Sequence, residues 1–117
     1  MNLSSQTHGS VELVSLPPRL VMANAQEARA AIRDLIDGGR TRLVLDLHAV
    51  QFVDSSGLSV LVSTLKAVQP HDGRVVLLSP SDGVRSLIEL TRLHQVFEIF
   101  EDHEAAIREL DEGEGAC

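Results

Sequence analysis

Tryptophan and tyrosine are missing from this chain, and phenylalanine occurs three times in 117 residues. So few aromatic rings leave no stacking platform for nucleic-acid bases. There is no basic stripe to track a phosphate backbone either: the formal net charge is −7, and Lys66 is the one lysine. Direct nucleic-acid binding is therefore not expected. A single cysteine, Cys117, cannot close an internal disulfide, which suits a reducing compartment. No stretch reaches the roughly 18 apolar residues of a membrane span. The opening MNLSSQTHGS carries neither the basic nor the apolar region of a secretory signal. A cytoplasmic protein without a membrane span is the expectation.

Catalytic equipment is equally scarce. His8, His48, His71, His94 and His103 are scattered, none at the i, i+4 spacing of a helical metal site, and there is no second cysteine. No G-x-G-x-x-G or P-loop pattern occurs, and Lys66 falls late in a predicted helix, away from any phosphate cradle. The nucleophile-elbow pattern G-x-S-x-G is absent as well. The sequence nominates no catalytic residue, metal ligand or cofactor.

What is present is a hydrophobic content of 44%, enough for one domain with a real core. Seven acidic residues against Arg108 crowd positions 101–114, so residues 1–100 are nearly balanced at −1. Residues 1–10 are expected to be a flexible N-terminus, and residues 111–117 an acidic disordered tail. Between them, VELVSL (Val11–Leu16) predicts a strand stopped by Pro17 and Pro18, and Arg19–Met22 a second extended piece. Asn24 is expected to cap a first helix, with Glu27 in capping-box spacing, Ala28, Ala31, Ile32, Leu35 and Ile36 on one face, and Gly38–Gly39 as its stop.

RLVLDL (Arg42–Leu47) alternates as a strand, and Val50–Val53 stays extended. Leu58, Leu61, Val62, Leu65 and Val68 mark a second helix, and Arg74–Ser79 a buried strand. A third helix begins at Ser81 or Asp82, Val96–Phe100 is a last strand, and a closing helix runs to Leu110. Strands alternating with helices predict an α/β fold: a four- to five-stranded mixed sheet with parallel core strands and about four helices.

One stretch stands out, FVDSSGL (Phe52–Leu58), at a predicted strand-to-helix turn. Open parallel sheets place ligand sites at the carboxyl ends of their strands. Either serine can cap the helix, accepting an early N–H. One cap needs one hydroxyl, so the other is free to face outward. A phosphate there would meet unpaired N–H groups and the positive end of the helix. Cap, modifiable hydroxyl and ligand contact stay open from the residues alone. A nucleophile is disfavoured, because no histidine can be tied to the turn.

LVLDLHAVQFVDSSGLSVLVSTLKAV (Leu43–Val68) resembles the central strand, DSSG turn and helix of STAS domains, and Arg74–Ile107 resembles their C-terminal half, with an L-x-L-T-x-L-like phrase at Ile88–Leu93. The likeness covers about residues 11–110. It implies a bacterial anti-sigma factor antagonist. Such a protein, when unphosphorylated, binds an anti-sigma factor with serine-kinase activity of the GHKL type and so frees a sigma factor. Phosphorylation of the second serine, here Ser56, switches it off, and a PP2C-type phosphatase reverses the mark. Asp54, Ser55, Ser56, Gly57 and Leu58 are the partner-binding residues the resemblance implies. The alternative is a non-switching STAS interaction subunit of a lipid-transport ABC system or stress-signalling scaffold. The chain departs from the family in two places: Pro17–Pro18 and no acid before Glu27 stand where a Gly and an acidic residue are usual, and Arg92 stands where Gly is usual.

Overall fold

A computed structural model describes residues 3–115. Two strands, β1 (Ser4–His8) and β2 (Val11–Ser15), pair antiparallel across a two-residue turn in which Gly9 takes the left-handed φ of 63°. The expectation for residues 1–10 is a flexible arm; Ser4–His8 of that stretch form a strand. SSQTH has no apolar alternation to announce a strand. As an edge strand it needs only backbone pairing, and its first four residues are exposed.

The rest of the main sheet is parallel. β2 pairs with β4 (Arg42–Asp46), β4 with β6 (Arg74–Leu78), and β6 with β7 (Glu98–Phe100). The order is β1-β2-β4-β6-β7, as the mixed sheet with a parallel core requires. Two short strands, β3 (Arg19–Leu20) and β5 (Phe52–Val53), pair only with each other.

Four helices connect the strands: α1 (Met22–Asp37), α2 (Ser55–Val68), α3 (Asp82–Leu90) and α4 (His103–Gly115). Leu43, Leu45 and Leu47 share one side of the sheet with Val75 and Leu77, as their alternation predicts, and bury against Ile32 of α1, Leu61 of α2 and Ile88 of α3. Val11, Leu13, Val44, Val76 and Leu78 face the other way, under Ala106 and Leu110 of α4. With helices on both faces, the central strands are apolar throughout, which is why Arg74–Ser79 shows no clean alternation.

Two boundaries differ from expectation. Asn24 does not cap α1. The N-cap is Val21, and Asn24 sits at the third helical position, its Oδ1 accepting from the Val21 N–H at 2.9 Å. That is the return half of a capping box, without a hydroxyl or carboxylate at the cap itself. At the other end, α4 does not stop at Leu110: it runs on to Gly115 through the start of the expected disordered tail. Ser10 Oγ donates to Asp111 Oδ1 at 2.7 Å, tying that turn of helix to the β1–β2 hairpin. Cys117 lies outside the described residues. Among them, no helix is long and apolar enough to cross a membrane.

Candidate functional site

The serine turn is delivered by the small β3–β5 ladder, not directly by the central strand. The central strand ends at Asp46, whose carboxylate accepts from the His48 N–H at 2.9 Å and turns the chain. The N–H groups of Gln51 and Phe52 then donate to the Pro18 carbonyl at 2.7 and 3.2 Å, and Asp54 N–H to Leu20 O at 3.3 Å. Pro17–Pro18, which reads as a departure in sequence, thus carries the carbonyl that steers the chain into β5.

Asp54 is the N-cap of α2, with extended backbone and with its Oδ1 accepting from the Gly57 N–H at 2.9 Å. Its other oxygen, Oδ2, accepts from the Met22 N–H at 3.0 Å. Met22 is the first residue of α1. One carboxylate therefore serves the starts of two helices, and it supplies the acceptor that Val21 cannot. These N–H groups hold the Asp54 carboxyl below its usual range: Gly57 contributes most, burial opposes, and Met22 and Ser56 add to the lowering. From the sequence, either serine could be the cap; the structure gives that task to Asp54.

Ser55 and Ser56 occupy the first two positions inside the helix, Ser55 exposed and Ser56 half-buried. Among the described residues, neither hydroxyl is engaged in a hydrogen bond. The Ser56 carbonyl accepts from Ser59 Oγ at 2.8 Å, which leaves the Ser56 side chain apart from that bond. Of the helix donors expected to receive a phosphate, the Gly57 N–H is already given to Asp54 Oδ1 at 2.9 Å, and the Ser56 N–H also favours the ionised Asp54.

Gly57 is buried, and its place in the motif is steric. A Cβ there would fall 2.1 Å from Leu20 O and 2.8 Å from Val53 Cγ1, so only glycine lets α2 start against β3 and β5. Leu58 is half-buried and packs on the core. Around the turn lie apolar residues whose exposure the sequence did not announce. Met22 is 76% exposed and Phe52 48%, the latter with Arg19 stacked at 5.0 Å from its ring centre. Phe52 and Val53 wall a hollow of about 330 Å³ closed by Leu87 and Leu90 of α3. Their apolar character gave no warning, because exposure depends on which elements meet. On the other side of the turn, Ser59 Oγ donates to Ser56 O at 2.8 Å and accepts from Arg29 Nη2 at 2.9 Å.

A parallel core under three helices, a fourth helix behind the sheet, and a capped D-S-S-G turn at the sheet's carboxyl edge define the class. The STAS domain family matches over residues 2–106, and the chain belongs to that family. Two of its relatives are named as antagonists of anti-sigma factors. BtrV of Bordetella bronchiseptica, provisionally so named, is 31% identical over 84 residues, 72% of each chain. The anti-sigma-B factor antagonist of Staphylococcus aureus is 26% identical over 104 residues, 89% of this chain and 96% of that one. An anti-sigma factor antagonist of Mycobacterium paratuberculosis has the same fold in its crystal structure. Its TM-score is 0.84 at 26% identity, over 93% of this chain and 92% of that one.

Proposed function

We propose that the unphosphorylated protein binds an anti-sigma factor with serine-kinase activity, so releasing a sigma factor in the cytoplasm, and that phosphorylation of Ser56 ends the binding. The observation that carries this is the unengaged Ser56 hydroxyl, held at the second position of a helix whose cap is supplied by a different residue. A cap made by Ser56 would be lost on modification; a cap made by Asp54 is not. The names of the relatives support an anti-sigma factor as the partner.

The chemistry is the partner's. A GHKL-type kinase holds ATP and Mg²⁺ and supplies the base. The Ser56 hydroxyl proton goes to that base, Oγ bonds to the γ-phosphorus, and the bond to the β–γ bridging oxygen breaks as ADP leaves. A PP2C-type phosphatase returns the serine by hydrolysis. Asp54, Ser55, Ser56, Gly57 and Leu58 form the centre of the docking face, with exposed Met22 and Phe52 at its rim. Phosphorylation adds about −1.5 to −2 charge beside the Asp54 carboxylate, and a surface that fitted the kinase then repels and desolvates badly.

The test is phosphate uptake and binding with the cognate kinase. Wild type should take up one phosphate and Ser56→Ala none, and Ser56→Asp should lose binding. Equal uptake by wild type and Ser56→Ala removes Ser56 from its role; a Ser56→Asp protein that binds as tightly as wild type removes the switch.

A further inference from the structure

α1 and α2 pack against each other, and a side chain of α1 reaches α2 within one turn of the serine pair. Arg29 of α1 donates to Ser59 Oγ at 2.9 Å, and that same hydroxyl donates to the Ser56 carbonyl at 2.8 Å. The guanidinium is thus one hydroxyl away from the backbone of Ser56. Ser56 and Ser59 are three residues apart on α2 and share a face. Arg33, one turn along α1, lines with Gln26, Arg29 and Ala30 a hollow of about 340 Å³. Among the described residues, neither arginine is paired with a carboxylate. A guanidinium whose partner is a neutral hydroxyl keeps its full charge for something else.

The serine turn creates the need for that charge. A phosphate on Ser56 shares the first turn of α2 with the Asp54 carboxylate, which already draws the N–H groups of Gly57 and Ser56. Two anions on one turn repel, and the Gly57 N–H that could serve the phosphate is already given to Asp54. A cation from another element can supply what is missing: Arg29 reaches the α2 face that carries Ser59, whereas Arg19 stacks on the Phe52 ring. We propose that Arg29 is the counter-ion of phosphoserine 56: on phosphorylation it leaves Ser59 and pairs with the phosphate through its fork of N–H groups. This rests on the proposed modification of Ser56. The phosphoryl group then bridges α2 to α1, and the docking face is closed over by a contact inside the protein as well as by repulsion of the partner.

The test needs no kinase. Phosphoserine is installed at position 56 during translation, and the second ionisation of its phosphate, ordinarily near 6, is followed by ³¹P NMR. Arg29 favours the dianion and pulls that value down; Asp54 pushes it up. Replacing Arg29 by Gln is expected to raise it by about half a unit, the size of a partly screened pair. Arg29→Lys should fall between, and Arg33→Gln should move it less than Arg29→Gln. An unchanged titration in Arg29→Gln, or an equal shift in Arg33→Gln, overturns the proposal. Because the phosphate is installed, failure of Ser56 to be phosphorylated by any kinase would leave this result untouched, so the two claims fall separately.

Discussion

At the scale of single residues, Asp54 joins two helices through one side chain. Its Oδ1 faces the Gly57 N–H of α2 and its Oδ2 the Met22 N–H of α1. Both contacts favour the ionised form, so the folded carboxyl titrates below its ordinary 3.8. A depressed folded pKa means stability that is present above the unfolded value and is lost as the pH falls through the folded one. Asp54→Asn should therefore lower the thermal midpoint at neutral pH, because an amide can serve Gly57 but brings N–H against N–H toward Met22. The gap should close as both proteins are melted at pH values descending below 3.8. A gap that stays constant down to about pH 2 would show that the carboxylate charge is not what the two helix starts use. The contribution is screened by solvent, so it is the convergence with pH, not the size of the gap, that decides.

Elements differ in how far their neighbours determine them. The central strand and α2 were legible because Leu43, Leu45 and Leu47 repeat every two residues while Leu58, Leu61 and Leu65 repeat at helical spacing, and each pattern is local. β1 was not, because a polar edge strand is held by pairing alone. Nor was the start of α1, whose acceptor is a carboxylate 32 residues away. The D-S-S-G motif was visible, but its division of labour was not: Asp54 caps, Gly57 makes room for Leu20, and Ser59 meets an arginine from another helix. Arg92 is the opposite case, a departure seen in sequence whose cost appears only in the structure. It follows α3 with φ 63°, the left-handed turn at which helices commonly carry glycine, and its N–H closes on Glu89 O at 3.0 Å. A side chain there is strained, so Arg92→Gly should stabilise the protein by roughly 0.5–1 kcal/mol after the extra chain entropy of glycine is counted. Urea titration reads this directly, and a less stable variant would mean that the arginine side chain makes good its strain through contacts.

On the scale of the whole molecule, the sheet separates two cores, and its outer edge depends on the hairpin that the sequence did not announce. β1 covers the edge of β2 along Ser4–His8. It also brings Thr7, whose hydroxyl donates to Glu12 Oε1 at 2.8 Å, and Glu12 is 4% exposed. The other partner of that carboxylate is Arg40, at 3.7 Å and itself partly exposed. His8 packs edge-on against His103, 5.9 Å between ring centres, at the first turn of α4. Removing residues 1–9 therefore does three things together. It strips the Glu12 carboxylate of its short hydrogen bond, worth on the order of 2 kcal/mol for a charged acceptor. It takes a wall from the start of α4. It leaves β2 as a bare edge, the geometry that invites pairing with another copy. The truncated protein should unfold at lower urea and should sediment with a more concentration-dependent mass than the full chain, whereas Thr7→Val in the full chain should show part of the stability loss and sediment as the unsubstituted protein does. A truncated protein with an unchanged midpoint and unchanged mass would mean that β1 rests on the sheet without supporting it, and residues 1–10 would then behave as the flexible arm their composition suggests.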